Sequence, residues 1–455
     1  MAVSRSYLED AGGFQGHADE LFTPSSAGEM ASILERASSS RTPVTIRGSG
    51  TGLTGGCVPQ GGWLISTEKL DRLEIGAGRA IAGAGVPLDR LQREAAKRRL
   101  FYPPDPTEWS ASVGGTIATN ASGSRSFRYG PTAGHVLRLQ VALIDGQVRD
   151  FRRGEPVDFG LPVLPAPSTT KNTAGFRLAP GMDWIDLFCG SEGTLGVVTE
   201  ADLRLLPAPP TLLAGVVFFA GDELLLPALD RWRETVTGAR MFEYFDAGSL
   251  RMLRGRFPDV PAQAGAALLF EQELDDEETA EIEAWLDRLE AAGADLEGSW
   301  FATSDRDRER FRVFRHALPE MVNDTVRRNG FLKLGSDYAV PAARNGEMLA
   351  RYRERLESTF AGRYVIFGHI GDAHLHVNIL PESGEQFDLG RELMLEFARA
   401  AVRLGGTVSA EHGIGKRKAD LLRIQYSAEE IEAMRAVKRR LDPHWLLGRG
   451  NLFPE

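Results

Sequence analysis

Apolar and polar positions change period several times along the chain, and each change predicts an element. Ser26-Ala27-Gly28-Glu29 carries the Ser-x-x-Glu pattern of a capping box and predicts a helix through about Ala37. Pro43-Val44-Thr45-Ile46 and Trp63-Leu64-Ile65-Ser66 are short apolar runs that predict strands. Pro87 opens a helical pattern that runs to about Arg99. Leu213 to Phe219 predicts another strand, followed by helices near 222–237, 275–292 and 305–329. Pro319 interrupts the last of these, because proline lacks an N–H and its ring clashes with the preceding turn. Residues 331–340 predict a strand and 342–360 a helix. A strict alternation comes next: His374, His376 and Asn378 fall on one face of a strand, Leu375, Val377 and Ile379 on the other. A helix over about 388–404 follows, and Ser427-Ala428-Glu429-Glu430 caps a last helix to about Leu441. The tail 448–453 is extended and small. Nothing recurs at a solenoid or propeller period.

The polar face of that alternating strand is the first candidate for chemistry. Two imidazoles and an amide on a buried face must be satisfied by a metal, a bound ligand or a water network. The chain has eight histidines, and four of them, His369, His374, His376 and His412, lie in the stretches 368–378 and 409–416. Neutral imidazole ligates zinc, iron, nickel and copper, and Glu411 adds a carboxylate. The spacing is neither that of a zinc finger nor His-Glu-x-x-His, so the fold must bring the two stretches together. A polar hairpin bonded to backbone and water is the plain alternative.

Glycine carries the second candidate. The strand at 43–46 runs into Arg47-Gly48-Ser49-Gly50-Thr51-Gly52-Leu53-Thr54-Gly55-Gly56. Successive glycines let backbone N–H groups converge on an anion, and Arg47 adds charge. There is no Gly-Lys-Ser/Thr, so this is not a Walker loop. Gly50-x-Gly52-x-x-Gly55 fits a dinucleotide fingerprint, but that motif needs a helix next and a strand follows. A merely flexible loop is the alternative. Tyr102-Pro103-Pro104-Asp105-Pro106-Thr107 reads as a rigid extended loop. Residues 112–123 are small enough for a planar or phosphorylated ligand to lie against the chain, whereas a tight helix–sheet contact would need only one or two of them. Residues 171–175 and 190–200 repeat the theme.

Composition narrows the class. At 455 residues two or three domains are expected, with Pro207 to Pro210 a plausible boundary. The 42% hydrophobic and 25% charged content is that of a soluble globular protein. A net charge of −10 argues against nucleic acid as the main partner. No apolar run reaches membrane-spanning length, and the first ten residues lack a signal pattern, so a cytoplasmic enzyme is expected. Cys57 and Cys189 are the only cysteines, which leaves no disulfide framework and no four-thiolate iron–sulfur cluster.

Taken in order, residues 47–56, 103–106, 113–115, 190–200, 368–378 and 409–416 resemble the FAD-linked oxidase and dehydrogenase family. Its flavin domain is of the p-cresol methylhydroxylase (PCMH) and vanillyl-alcohol oxidase type. The likeness covers nearly the whole chain. It is strongest to the branch of D-lactate dehydrogenases, glycolate oxidase large subunits and D-2-hydroxyglutarate dehydrogenases. The resemblance implies an α+β protein: a two-part PCMH-type FAD-binding domain over 15–208, and an α+β cap (substrate) domain with an antiparallel sheet over 209–420. A C-terminal helix and tail, 421–455, would pack back towards the flavin domain. It implies FAD contacts from Arg47, Gly48, Ser49, Gly50, Thr51, Gly52, Pro104, Asp105, Val113, Gly114, Gly115, Gly123, Glu192, Gly193, Gly196, Val197, Val198 and Asn451.

In metal-dependent relatives the positions matching His369, His376 and Glu411 ligate a divalent ion, often zinc, and the one matching His412 is the general base. Arg315, Lys333 and Asn378 match substrate-binding positions. The resemblance thus implies FAD-dependent, metal-assisted oxidation of a D-2-hydroxy acid of the D-lactate, glycolate or D-2-hydroxyglutarate class to the 2-oxo acid. Electrons would pass to an external quinone, cytochrome, electron-transfer protein or oxygen. A membrane-associated acceptor would add peripheral contact at the inner face of the membrane, and an oligomer is left open. Some relatives attach FAD through a histidine of the glycine-rich loop; 47–56 has none, so FAD is expected to be non-covalent. The alternatives are a flavin oxidase using oxygen on another alcohol, a non-catalytic FAD-binding subunit of a larger oxidase, and a metal hydrolase without flavin. The chain departs from the pattern with His316 for an acid, Ala373 and His374 for the Gly-Asn of Gly-Asp-Gly-Asn, and Gly448-Arg449 where relatives often have Asn-Pro.

Overall fold

The computed structural model describes residues 3–274 and 278–453. Its first layer is a parallel sheet of three strands, with Trp63–Ser66 between Glu20–Phe22 and Val44–Arg47. The helix Ala27–Ser40 lies against it through Met30, Ile33, Leu34 and Ala37, the i, i+3, i+4, i+7 stripe of an amphipathic helix. Half of the expected capping box forms: Ser26 accepts from the Glu29 N–H, but the Glu29 carboxylate takes the Ser25 N–H instead of that of Ser26. The glycine loop joins Arg47 to Trp63, two parallel strands, with no helix between them. That geometry separates it from a dinucleotide-binding turn.

The second layer is a five-stranded antiparallel sheet in the order Leu73–Ile75, Arg79–Gly83, Val197–Arg204, Val136–Ala142, Val148–Arg152. The chain's end returns to the first layer: Val44 N–H donates to Leu446 and Gly448 N–H to Val44. Leu446 and Leu447 are buried in the same cluster as Met30 and Leu34.

A seven-stranded antiparallel sheet forms the rest, in the order Ala294–Ala302, Thr211–Phe219, Ala266–Leu274, Ala239–Asp246, Tyr364–His369, His374–Ile379, Leu334–Gly335. Both of its faces are covered. Leu213, Val217 and Phe219 pack on one side; Val216 and Phe218 join Phe311, Phe314 and Leu318 of the helix Asp305–Arg328 on the other. Strands covered on both faces lose the apolar–polar alternation, which is why Thr211–Phe219 reads as one apolar run. Among the described residues no helix is long and apolar enough to cross a membrane.

Several expectations change. Pro319 does not interrupt its helix, which runs unbroken from Asp305 to Arg328. Phe314 and Leu318 before the proline and Val322 and Val326 after it pack on one core, and that burial outweighs the lost turn bond. Residues 331–340 form a regular strand only at Leu334–Gly335; beyond it the segment stays along the same edge with sparser pairing, Ser336 N–H donating to Val377 and Ala339 bridging to His374 in unchanged register and to Thr407 on its other side. The helix after Pro87 covers Leu88–Ala96, shorter than predicted, since Arg99 takes the left-handed conformation. The small-residue stretch contains a helix of its own, Val113–Ala118, capped by Ser112. Ser383 starts the helix Gly384–Arg403 a turn early. Of the helix predicted over 275–292, Glu278–Ala291 is helical and 275–277 lie outside the described residues.

Candidate active site

The histidine hairpin is built by register. Tyr364–His369 pairs with His374–Ile379 so that His369 faces His374 and Phe367 faces His376. Directly opposed residues share a face, so three imidazoles converge from two strands. The reversal needs only the turn Ile370–Asp372, closed by Ala373 at φ 51. Glu411 and His412 arrive from a distant loop that Asp337 organises. The Asp337 carboxylate accepts the backbone N–H of Glu411 (3.2 Å) and His412 (3.0 Å) and the Ser409 hydroxyl (2.8 Å). Glu411 Oε1 then sits 3.1 Å from His369 Nε2 and 3.4 Å from His376 Nε2. With His374 these form four potential ligands, whose donor atoms lie within 4.8 Å of one another.

The charges around them are buried and unequal. Glu243, Asp337, Asp372 and Glu411 face the cations Lys171, Arg315 and Lys418. Glu243 accepts from Arg315 Nε (2.8 Å) and bonds His369 Nδ1. Lys171, with no exposed side-chain surface, donates to Glu411 Oε2 (3.1 Å) and to the Gly123 carbonyl (2.8 Å). Burial disfavours a charged His369 imidazole, but Glu243 and Glu411 outweigh it and raise the ring above its ordinary value, so a positive charge is favoured between the two carboxylates. Burial pushes His374 down to about 3 and His412 down to about 4, so both rings are neutral at pH 7, the form that ligates a metal or accepts a proton. Both His374 ring nitrogens and the Asn378 Nδ2 are buried without a hydrogen-bond partner. A native interior rarely leaves such groups unmatched. Three imidazoles and a carboxylate with orphaned nitrogens fit a divalent ion of the zinc type.

Beside this cluster opens a cleft. Gly48, Ser49, Gly50, Thr51, Gly52, Gly114, Gly115, Gly123, Glu192, Gly193, Gly196, Val197 and Val198 line it, and Glu411 and His412 close it. A Cβ added at Gly52 would meet nothing within 4 Å. Backbone and small side chains form one wall, with Ile46, Val197 and Val198 supplying apolar surface. Exposed backbone and small residues suit an anionic diphosphate and the apolar side chains a planar ring, so the residues present fit a flavin dinucleotide.

Five residues expected to contact the cofactor do not line this cleft. Arg47 is buried and donates to the carbonyls of Ser6 and Glu9 (both 2.8 Å), so its charge serves the N-terminal segment. Val113 is core. Pro104 is buried away from the cleft lining. Asp105 pairs with Arg125 (3.2 Å) and lines a neighbouring cavity. Asn451 lies behind the glycine loop, bonded to Gly56, Glu192 and Lys416. Arg315 reaches the site edge, tied to Glu243 and to Thr107 (2.8 Å), which lines both cavities. Asn378 lies on the histidine face, and the Lys333 side chain folds over Gly335 opposite it. The sequence reading missed Glu243, Lys171, Asp337 and Lys418. Glu243 did leave a signal, as the one acid in the apolar run from Met241 to Phe245.

The chain matches known proteins. A family model of the C-terminal domain of FAD linked oxidases matches residues 213–452, and an FAD binding domain model matches residues 18–152. The chain is 32% identical over 439 residues to a D-lactate dehydrogenase of Archaeoglobus fulgidus, spanning 94% of this chain and 90% of that protein. It is 31% identical to a D-2-hydroxyglutarate dehydrogenase of Xanthomonas citri pv. viticola, over 94% of this chain and 88% of that one. It is 28% identical to the glycolate oxidase subunit GlcD of Bacillus subtilis, over 97% and 90%. The solved structure of an alkyldihydroxyacetonephosphate synthase shares the fold, with a TM-score of 0.70 at 13% identity over 96% of this chain and 76% of that chain.

Proposed function

The chain belongs to the FAD-linked oxidases, and from that premise we propose that it oxidises a D-2-hydroxy acid to the 2-oxo acid. In this reading FAD is bound non-covalently and a divalent ion is held by His369, His376 and Glu411. The observation that carries it is the shared wall: Glu411 and His412 belong to the histidine cluster and also line the glycine-walled cleft.

Oxidation of a 2-hydroxy acid removes a proton from oxygen and a hydride from C2. FAD bound along the glycine wall would supply the hydride acceptor. A divalent ion held by the two histidines and Glu411 would act as a Lewis acid towards the hydroxyl oxygen. His412, neutral at pH 7, takes the hydroxyl proton. Asp337 positions it: the carboxylate accepts the His412 backbone N–H and lies 3.5 Å from Nδ1, leaving Nε2 to face the Glu411 side. Arg315 is anchored through Nε and one Nη, which leaves its other Nη donors for a substrate carboxylate. The Asn378 amide adds an unpaired donor on the histidine face.

An anaerobic visible titration tests this. Under exclusion of oxygen, one of D-lactate, glycolate or D-2-hydroxyglutarate should bleach the flavin band. A flavin spectrum that none of them bleaches removes the substrate class but keeps the cofactor. Acid precipitation should release the yellow chromophore; chromophore retained in the pellet would exclude non-covalent binding.

A further inference from the structure

We infer that His374 is a fourth protein ligand of the divalent ion, completing a set of three imidazoles and one carboxylate. The inference rests on the proposed function only for the presence of an ion.

Register makes the case first. His374 stands directly across the hairpin from His369, whereas His376 pairs with Phe367, one same-face position further along. A hairpin that brings His369 and His376 to one ion therefore carries His374 to it as well. The His374 side chain has no exposed surface, and neither ring nitrogen has a hydrogen-bond partner. Asp337 Oδ1 lies 3.2 Å from Nε2, out of line for a hydrogen bond. Histidines bound to metals commonly present the second ring nitrogen to a carboxylate, which fixes the ring and raises its basicity. With Nε2 beside Asp337, Nδ1 is the nitrogen left for the ion.

Distances agree. Bonds of ~2.0–2.2 Å to a tetrahedral ion put donor atoms roughly 3.3–3.5 Å apart. Glu411 Oε1 already stands 3.1 Å and 3.4 Å from His369 Nε2 and His376 Nε2. The whole four-donor set fits within 4.8 Å, an excess that small ring rotations close. The asparagine that the resemblance leads one to expect here would offer no imidazole nitrogen. A three-ligand set keeps a fourth position for substrate; with four protein donors the substrate hydroxyl would enter as a fifth ligand, an expansion that zinc tolerates. This chain would thus retain its ion against chelators, with a preference for zinc, cobalt or nickel over magnesium or calcium.

The test uses the FAD-replete protein. X-ray absorption at the zinc edge of the wild-type protein should count three imidazoles per ion; two would overturn the inference without any variant. Competition with a chromogenic chelator should show His374→Asn holding zinc at least ~10–100-fold more weakly, and Co2+ added in place of zinc should give a weaker visible band in the variant. An unchanged flavin band would show that the fold and cofactor survive. Wild-type affinity and an unchanged Co2+ band in His374→Asn would overturn the ligand role while leaving His369, His376 and Glu411 in place. No ion uptake by the wild-type protein would instead remove the metal from the proposed function, and this inference with it.

Discussion

The cleft has two walls of opposite construction. The flavin wall is shaped by missing side chains. Gly123 takes φ +88, and a Cβ there would lie 1.9 Å from the Asp105 carbonyl. The cap wall is made of side chains whose partners are far apart in the chain, such as Glu411 with His369 and Lys171. One wall is written in local composition, the other in long-range register. Each can therefore be broken with the other left standing, and the sharpest break is His412, which touches both. His412→Ala should keep the flavin band yet slow anaerobic flavin reduction by ~10²–10⁴, the usual share of a general base. A reduction rate within a few-fold of wild type would remove it from the chemistry.

Lys171 tests how the cap wall tolerates its buried charges. It sits between Glu411, Asp372 and the Gly123 carbonyl, so Lys171→Met leaves carboxylates uncompensated. Breaking such a pair costs about 3–5 kcal/mol. Thermal melts should show that loss in metal-free protein, and zinc should raise the variant's Tm by more than it raises that of the wild type, because the ion replaces the missing charge. Equal zinc shifts in both proteins would mean that Lys171 and the ion act on separate groups.

What the chain disclosed in advance follows the same division. The glycine loop, the small-residue stretches and the alternating His374, His376 and Asn378 are local patterns; the fold sets the loop and parts of 112–123 and 190–200 along the cleft and the histidines on the hairpin face, while 171–175 does not line the cleft. Arg47 misled because its charge is next to the glycines in sequence but is taken by Ser6 and Glu9, about forty residues upstream. Glu243 and Asp337 stayed hidden because their roles exist only after sheet pairing brings His369 and His412 to them. Pro319 misled for a related reason: local backbone chemistry predicts a break, and packing on the cap sheet overrides it.

The flavin wall can be broken more gently. Gly52 lines the cleft and a Cβ there would meet no protein atom within 4 Å, so Gly52→Leu is expected to add bulk to the trough. Filling a preformed site costs about 1–3 kcal/mol, roughly 5- to 150-fold in FAD affinity. A fluorescence titration of the apoprotein with FAD reads that loss, while zinc content should stay at the wild-type level. Parallel loss of zinc would show that the walls are coupled.

The smallest effect separates the two regions by pH. On the flavin side, burial pushes Glu192 up to about 7 against the Ile414 and Gly415 N–H groups that hold it. A raised carboxyl stabilises the fold fully below its unfolded value of 4.5 and loses that contribution as pH rises through about 7. In the cap, burial also pushes Asp222 up, but the Arg353 guanidinium and the Tyr244 hydroxyl outweigh it and hold the carboxyl below 3.8. Its contribution is present above 3.8 and is lost as pH falls through the lowered value. Amide exchange followed by peptide should therefore show residues near 190–196 tightening as pH falls from 7.5 to 5. Those around 222–246 should hold steady until the medium is strongly acid and then loosen. Glu192→Gln should flatten the first response and Asp222→Asn the second. If both regions loosened together on acidification, the difference between a carboxyl held by backbone N–H groups and one held by an ion pair would not extend to their titration.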